Sequence, residues 1–272
     1  MSTPSRGIFL HNHTIATDPA AAVEIAVRAE ELGYDSVWAA EHVVLPSPRV
    51  RPSPMEPEDP IADPLVLLAH LAARTERVLL GTGVLVLPQR NPLVLAKQLA
   101  TLDVLSRGRL VVGVGAGYLE PELTAIGVPM AERGARTDAY LAAMRSLWED
   151  EKPHADGPFV SFSGVDAHPR PVQRPLPVVI GGESPAAWRR TARFAQGWYG
   201  FRLSPDEVVE QVAGLRRAMA PLPQISVTPS LPLDDDAVAA YTRAGVDRLI
   251  VAPRPDADLP WLRRWLERHA PA

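Results

Sequence analysis

Hydrophobic residues along the chain alternate between two patterns, short continuous runs and longer stretches with helical spacing. The run at 78–84 carries no alternation of polar and apolar positions, which is typical of a strand buried on both faces. The segment at 92–105 places Leu95, Leu99 and Leu102 at i, i+4 and i+7, so these leucines form one face of a helix. Short apolar runs and helical stretches follow one another along the whole chain, which predicts strands that are each followed by a helix.

The pattern predicts eight strands, each paired with a helix later in the chain. The predicted strands are 8–10, 36–39, 78–84, 110–114, 177–180, 198–199, 225–228 and 249–252. The predicted helices are 20–32, 65–74, 92–105, 133–149, 185–194, 205–219, 234–244 and 259–269.

Eight right-handed β-α-β crossovers close into a (β/α)8 TIM barrel, so we predict an α/β fold with one domain over 1–272. An open doubly wound sheet is the alternative, and the strand count and even composition favour the barrel. Two segments interrupt the rhythm. The proline-rich stretch at 46–64 predicts a long loop, and 153–176 predicts a small excursion before strand five with a hairpin near 159–162.

Composition excludes several classes of function. The chain has 28 Lys+Arg against 32 Asp+Glu and a formal charge of −4, which argues against a nucleic-acid partner. It contains no cysteine, so disulfides, thiolate nucleophiles and cysteine-ligated metals are excluded. There is no metal-binding motif, and no apolar run of about 18 residues that would span a membrane. We therefore expect a cytoplasmic protein without a bound metal.

Functional groups in a barrel collect where strands end and loops begin. Glu41 and His42 follow the second predicted strand, where an imidazole can bind a cofactor or move a proton. A loop histidine held by a local backbone group is an equal alternative. Thr82, Gly83 and Val84 end the third strand. Glycine there indicates either a bulge, which composition favours, or a ligand close to the backbone.

The fourth predicted strand ends in a glycine-rich segment that includes Gly115, Gly117 and Tyr118. The segment lacks the complete dinucleotide-binding fingerprint, so it is better interpreted as a barrel mouth against which a flat ring could lie. Asn12 and His13 follow the first strand, where an ordinary loop is the favoured interpretation.

The fifth predicted strand ends in Gly181, Gly182, Glu183 and Ser184, immediately before the next helix. Free backbone N–H groups and the helix dipole make such a turn suitable for an anion, most naturally a phosphate. An ordinary capped helix start is the alternative, although two glycines are more than a cap requires.

Four stretches of the chain form a recognisable set: WAAEH (38–42), GTGVLVLPQRNPLVLAKQLATLDVLSRGRLVVGVGAGYLEPE (81–122), AIGVPMAERGARTDAY (125–140) and FSGVDAHPRPVQRPLPVVIGGESPAAWRRTARFAQGW (162–198). Together they resemble the luciferase-like monooxygenase family, and within it the branch that uses the deazaflavin coenzyme F-420. They occur in the family's order and cover most of the chain from about residue 20 to 200.

The resemblance implies a (β/α)8 barrel with a flavin or deazaflavin across its mouth. It implies an acidic residue–histidine pair at Glu41 and His42, with the histidine facing the ring, and a non-prolyl cis peptide between Gly83 and Val84. The remaining cofactor-binding positions that it implies are Thr82, Gly115, Gly117, Tyr118, Gly181, Gly182, Glu183 and Ser184. Many deazaflavin enzymes have Asp-His in place of Glu-His, and some dehydrogenases have an acid near Tyr118.

These expectations support an oxidoreductase that moves hydride between coenzyme F-420 and a small organic substrate, with Glu41 and His42 as the catalytic pair. A monooxygenase that uses reduced FMN on the same barrel is one alternative, and a cofactor-binding barrel without turnover is another. The family also makes a homodimer plausible. A phosphosugar isomerase is disfavoured, because its phosphate loops follow strands seven and eight.

Overall fold

Parallel strands and the helices between them make up most of the chain. A computed structural model describes residues 3–10, 14–230 and 232–271, so Asn12 and His13 lie outside the described residues. The strands are β1 Ser5–Phe9, β2 Ser36–Ala39, β3 Leu79–Thr82, β4 Leu85–Val86, β5 Leu110–Gly115, β6 Val178–Gly181, β7 Gly197–Leu203, β8 Gln224–Pro229 and β9 Arg248–Val251. The α-helices are α1 Pro19–Glu31, α2 Pro64–Ala72, α3 Pro92–Leu105, α4 Glu120–Ala125, α5 Arg133–Glu149, α6 Pro185–Phe194, α7 Pro205–Ala218, α8 Asp235–Ala244 and α9 Leu259–Arg268.

The sheet closes on itself. Its strand order is β3-β2-β1-β9-β8-β7-β6-β5-β4, and a further pairing of β3 with β5 joins the two ends. The strand pairings are parallel throughout the described sheet. Because β4 continues the line of β3, the nine strands occupy eight positions around the barrel. The predicted (β/α)8 barrel is therefore confirmed.

Short sequence signals begin many of the helices. Asp18, Asp63 and Asn91 each precede a proline, and each side-chain oxygen accepts hydrogen bonds from two N–H groups of the following turn. Ser184 and Ser204 precede a proline in the same way. The side chain satisfies amides that would otherwise lack a partner, and proline suits the first helical position.

Two apolar layers stabilise the barrel. Its inside is filled by Phe9, Trp38, Val111, Val179, Tyr199 and Ile250. A larger layer of leucine, valine and alanine side chains lies between the strands and the helices. The interior of the barrel is therefore packed with side chains, and we expect chemistry only at the carboxyl ends of the strands.

The third predicted strand is broken in the structure. Residues 78–84 were expected to form one strand, but pairing stops after Thr82 and resumes at Leu85. At the break, the Thr82 hydroxyl accepts a hydrogen bond from the Gly113 N–H (2.8 Å) and donates one to the Gly113 carbonyl (2.7 Å). A side chain thus occupies the partner that a continuous ladder would use. The prediction of one continuous strand was wrong for that reason.

Other boundaries also differ. Strand β7 continues to Leu203, beyond the two residues predicted, because β8 pairs with its outer half. Helix α4 was not predicted, since its six residues are too few for a helical period to be recognised. The proline-rich loop ends where Pro64 begins α2, as expected.

The excursion before β6 connects the end of α5 to the beginning of β6. It therefore lies at the end of the barrel where the strands begin, opposite their carboxyl ends. An antiparallel bridge joins Ala155 and Phe162 within it, close to the predicted hairpin. The buried Asp103 carboxylate of α3 accepts the N–H groups of Val172 and Gln173 at 2.7 and 3.0 Å. The excursion is therefore attached to the outer layer, away from the candidate site.

We expect Gly113→Ala to destabilise the fold. A Cβ at position 113 would lie 1.9 Å from the Thr82 carbonyl oxygen, which is backbone and cannot turn aside. Overpacking of this kind costs about 1–3 kcal/mol or more, measurable as a lower urea midpoint. Gly157→Ala is the matched control, because its Cβ meets nothing closer than 3.7 Å. Equal midpoints for the two variants would contradict the packing described here.

Candidate active site

The residues singled out in the sequence lie at one end of the barrel, around the termini of β2, β3, β5 and β6. Parallel strands all end on the same side, so segments distant in sequence become neighbours there. The structure brings together His42, Tyr118, Val84 and the 181–184 turn at this mouth.

Val84 is the centre of the mouth. Its two methyl groups fill the space left by two glycines: a Cβ at Gly115 would lie 2.9 Å from Val84 Cγ2, and one at Gly181 would lie 3.0 Å from Val84 Cγ1. The peptide bond between Gly83 and Val84 is cis, as the resemblance implies. Val84 itself is partly exposed, so it forms an apolar floor between the ends of β5 and β6.

Gly83 and Gly117 complete this floor. The α-carbon of Gly83 faces the rings of Phe9, Trp38 and Tyr199, and a Cβ at this position would lie 3.3–3.6 Å from them. Gly117 has φ of +82°, a conformation that favours glycine, and a Cβ there would lie 2.6 Å from Val86 Cγ1. The glycines that the sequence analysis assigned to a ring-binding mouth are thus required by close packing beneath it.

His42 is held by a residue that the sequence analysis missed. Its Nδ1 lies 2.9 Å from Oε2 of Glu122, and the Val43 N–H donates to Oε1 of the same carboxylate at 2.6 Å. Glu122 belongs to α4 and is only 2% exposed. The one available signal was its position between Leu119 and Leu123, two buried residues four apart.

Tyr118 lies on the other side of the His42 ring. The two rings meet edge to face with centroids 6.0 Å apart, and the phenol oxygen is 3.5 Å from His42 Nε2. Burial, with a smaller contribution from the Glu122 carboxylate, raises the pKa of the Tyr118 phenol, which therefore stays protonated at neutral pH. Tyr118 is nonetheless 50% exposed, so the pair faces the mouth.

Glu41 has a different environment from its neighbour. Its carboxylate is 3% exposed. Oε2 accepts the Val86 N–H and Oε1 accepts Arg90 Nε, both at 2.6 Å. Burial raises the pKa of the Glu41 carboxyl, while Arg90 and the Val86 amide act in the opposite direction. These contacts position the segment that follows Val84.

The guanidinium of Arg90 also donates to Oδ2 of Asp63 at 2.6 Å. The Arg90 contact lowers the pKa of Asp63, whose other oxygen caps α2, and these favourable contacts outweigh burial. One arginine therefore joins Glu41 and Asp63, the two residues that bracket the proline-rich loop. Sequence reasoning did not identify Arg90, because its partners are 49 and 27 residues away.

The turn after β6 has the features of an anion site. Gly182 adopts φ of +119°, and the turn is exposed. Within the part of the chain that the structure describes, the amides of Gly182, Glu183 and Ser184 have no hydrogen-bond acceptor. The Ser184 hydroxyl accepts the Ala187 N–H at 3.3 Å, so its oxygen is already used as the cap of α6. Free N–H groups at the start of a ten-residue helix attract an anion.

The side chain of Glu183 does not favour an anion. Burial, and the nearby Glu207 carboxylate, raise the pKa of Glu183. A phosphate at this turn would accordingly be held by backbone amides and not by the Glu183 side chain.

Thr82 is the predicted position whose side chain is least available to a ligand. It is fully buried, and its hydroxyl is bonded to Gly113 as described above.

Among the described residues, no group of three His, Asp or Glu side chains is arranged to hold a metal ion. No helix in the same part of the chain combines the length and apolar character needed to cross a bilayer.

The structure is thus a closed barrel of parallel strands whose mouth carries an apolar, glycine-bordered surface, a partly buried histidine paired with a buried carboxylate, and a turn whose backbone amides are unpaired within the described residues. The family model described as luciferase-like monooxygenase matches residues 5–262. The chain belongs to this family, which confirms the resemblance seen in the sequence.

Proteins similar to this chain include an F-420-dependent dehydrogenase and a monooxygenase. An uncharacterized protein of Mycobacterium tuberculosis is 34% identical over 97% of this chain and 96% of its own length. An F-420-dependent glucose-6-phosphate dehydrogenase of Microbacterium testaceum is 36% identical over 66% of this chain and 52% of its own. The solved structure of monooxygenase RslO1 from Streptomyces bottropensis is 25% identical, with a TM-score of 0.80 over 98% of this chain and 97% of its own.

Proposed function

We propose that this chain is an oxidoreductase that transfers hydride between coenzyme F-420 and a small organic substrate. The observation that carries the proposal is His42, which follows the end of β2 and whose Nε2 lies 3.5 Å from the half-exposed Tyr118 phenol, at the same end of the barrel as Val84. The anion-binding turn at 182–184 borders the same mouth. A base, an apolar surface for a ring and a phosphate site are the three elements such chemistry needs.

Each element has a distinct role in the proposal. When bound, the deazaflavin ring supplies the carbon that accepts or gives hydride. Val84 and the surrounding glycines orient the ring by contact, and the 182–184 amides hold the phosphate. As hydride leaves a substrate carbon, the attached hydroxyl loses its proton to His42 Nε2, and the reverse direction returns it. Glu41 supports this arrangement through Val86, so we now propose a positioning role for it.

Sequence relatives favour coenzyme F-420 over FMN. Glucose-6-phosphate dehydrogenases from two organisms, both named as F-420-dependent, are 36% and 33% identical to the chain over 184 and 204 residues. The chain could use the same coenzyme with a substrate other than glucose-6-phosphate, because the loops that shape a substrate pocket vary more than the scaffold that holds a cofactor.

A monooxygenase using reduced FMN is the second candidate. The observation that favours it is the monooxygenase structure with a TM-score of 0.80, which matches the chain almost end to end. The two candidates differ in chemistry: reduced FMN reacts with oxygen, whereas a deazaflavin passes hydride.

Titration of the purified protein with coenzyme F-420 and separately with FMN, followed by cofactor fluorescence, tests the proposal. We expect saturable binding of F-420 in the micromolar range, with FMN at least tenfold weaker, roughly the difference that 1.4 kcal/mol produces. FMN binding alone would favour the monooxygenase. Binding of neither would contradict both, and binding of F-420 without hydride transfer to any alcohol would indicate a barrel without turnover.

A matched pair of glycine variants locates the phosphate site. Gly182→Ala forces a side chain into φ of +119° at the turn, and Gly245→Ala does the same at φ of +90° beyond α8, at the far end of the barrel. We expect the first to weaken coenzyme binding and the second to leave it unchanged. Equal binding by both variants would count against the 182–184 turn. A homodimer and a cytoplasmic location remain predictions.

A further inference from the structure

The Glu122 carboxylate is placed to do more than join α4 to the barrel. It is almost completely buried, it comes from an element that contributes nothing else polar to His42, and its two oxygens contact consecutive residues of the loop after β2. Oε1 accepts the Val43 N–H, which is a backbone donor and can play no other part. Oε2 faces His42 Nδ1.

The chemistry of a carboxylate decides which ring nitrogen carries the proton. An ionised carboxylate only accepts hydrogen bonds. In a neutral imidazole one nitrogen donates and the other accepts, and the partner of one nitrogen selects the tautomer. With Glu122 at Nδ1, the hydrogen of the neutral ring resides on Nδ1, and Nε2 presents its lone pair.

The surroundings of Nε2 are consistent with an acceptor that waits for a donor. Among the described residues, the polar contact of Nε2 is with the Tyr118 oxygen, and its length of 3.5 Å exceeds the 2.7–3.2 Å of a normal hydrogen bond. The phenol remains protonated, so it can donate weakly but cannot take a proton from Nε2. A substrate hydroxyl entering from the mouth can approach this nitrogen more closely than Tyr118 does.

We propose that Glu122 is a positioning residue that holds His42 as the Nδ1–H tautomer, so that Nε2 is free to take the substrate proton, and that stabilises the imidazolium which then forms. The role of Nε2 rests on the proposed function; the tautomer itself does not. The proton taken from the substrate hydroxyl resides on Nε2, and the positive charge of the ring is balanced by the carboxylate beside Nδ1.

Glu122→Gln is expected to reverse the tautomer without changing the shape of the side chain. The amide has one accepting oxygen, and the Val43 N–H can only donate, so the oxygen should turn to Val43. The amide nitrogen then donates to His42 Nδ1 and leaves the hydrogen on Nε2. Hydrogen bonds to charged groups are strong enough for a change of about tenfold or more in the tautomer ratio, visible in the nitrogen NMR signals of His42 at alkaline pH.

Two variants on the same helix complete the test. Glu122→Asp keeps a carboxylate and should retain the Nδ1–H tautomer. Glu120→Gln removes an exposed carboxylate from α4 and should leave the His42 signals unchanged. If Glu122→Gln fails to fold, the wild-type spectrum decides: a wild-type ring that carries its hydrogen on Nε2 would overturn the inference. So would an unchanged ratio in a folded Glu122→Gln protein.

This measurement needs neither coenzyme nor substrate, so it separates the two proposals. A reversed tautomer in a protein that binds no F-420 would retain the role of Glu122 at Nδ1 and reject the proposed hydride transfer. If F-420 is bound and reduced by an alcohol, Glu122→Gln should lower kcat by tenfold or more, roughly the effect of losing a positioned base. Its KM should change little, and Glu122→Asp should recover part of kcat.

Discussion

Arg90→Met is expected to destabilise the protein by about 3–5 kcal/mol, because it leaves an unpaired carboxylate in the interior. Glu41 is 3% exposed and loses the guanidinium that contacts its Oε1, while the Val86 N–H remains as its one short hydrogen bond. Asp63 loses a partner at the same time. The free energy of unfolding in urea measures the effect.

The pH dependence of this variant follows from the direction of the Glu41 pKa. Burial raises the pKa of Glu41 above its unfolded value, and without Arg90 less opposes that rise. A folded state that binds the proton more tightly than the unfolded state gains stability as the pH falls. The deficit of Arg90→Met relative to wild type should therefore shrink as the pH is lowered toward the unfolded pKa of a glutamate, about 4.3.

Two further variants make the result specific. Adding Glu41→Gln to Arg90→Met removes the buried charge and should recover part of the lost stability. Arg77→Met is the matched control, since Arg77 is largely exposed, its guanidinium lies 3.9 Å from the Glu30 carboxylate, and its hydrogen bond to the Glu30 carbonyl is long at 3.4 Å. If Arg90→Met and Arg77→Met unfold at the same urea concentration, the buried pair does not stabilise the fold in the way described.

His42→Ala is expected to lower turnover by at least tenfold, and general base catalysis typically accounts for roughly 10²–10⁴-fold. The change removes Nε2 from the mouth while Val84 and the turn at 182–184 stay in place, so coenzyme binding should be affected far less than kcat. The measurement is the rate of F-420 reduction by a small alcohol, with coenzyme affinity determined separately by fluorescence.

His70→Ala is the control for this variant. His70 is exposed on the outer face of α2, far from the strand termini, and its removal should alter neither turnover nor binding. Unchanged turnover in His42→Ala would remove His42 from the mechanism. If His42→Ala fails to fold, as detected by circular dichroism, the kcat of Glu122→Gln tests the role of His42 instead.

The barrel and much of its mouth could be predicted from sequence for definite physical reasons. Unalternating strands such as Val178–Gly181 indicate burial on both faces, and caps such as Asp18 before Pro19 mark where helices begin. Parallel strands end on one side, so residues at their ends, among them His42, Val84 and Gly181, were expected to gather.

The partners of those residues could not be predicted in the same way. Glu122 is 80 residues from His42, and the helix that carries it is too short to leave a period in the sequence. Glu41 was expected to share the chemistry of His42, yet its side chain contacts Arg90 on the other side of the backbone. Which face a loop side chain takes depends on tertiary contacts, and the local pattern carries no record of them.

Arg90 contacts Glu41 before the proline-rich loop and Asp63 near its end, so the sequence of the loop can vary without loss of its attachment. Its two anchors, Glu41 and Asp63, share one guanidinium, so the ends of the loop are held at a constant separation whatever sequence stands at 46–62. Lengthening a surface loop with anchored ends costs little, since the closure entropy grows only slowly with length. Residues 46–62 carry none of the site residues described above, so their sequence and length can change while the barrel and the candidate site keep their structure.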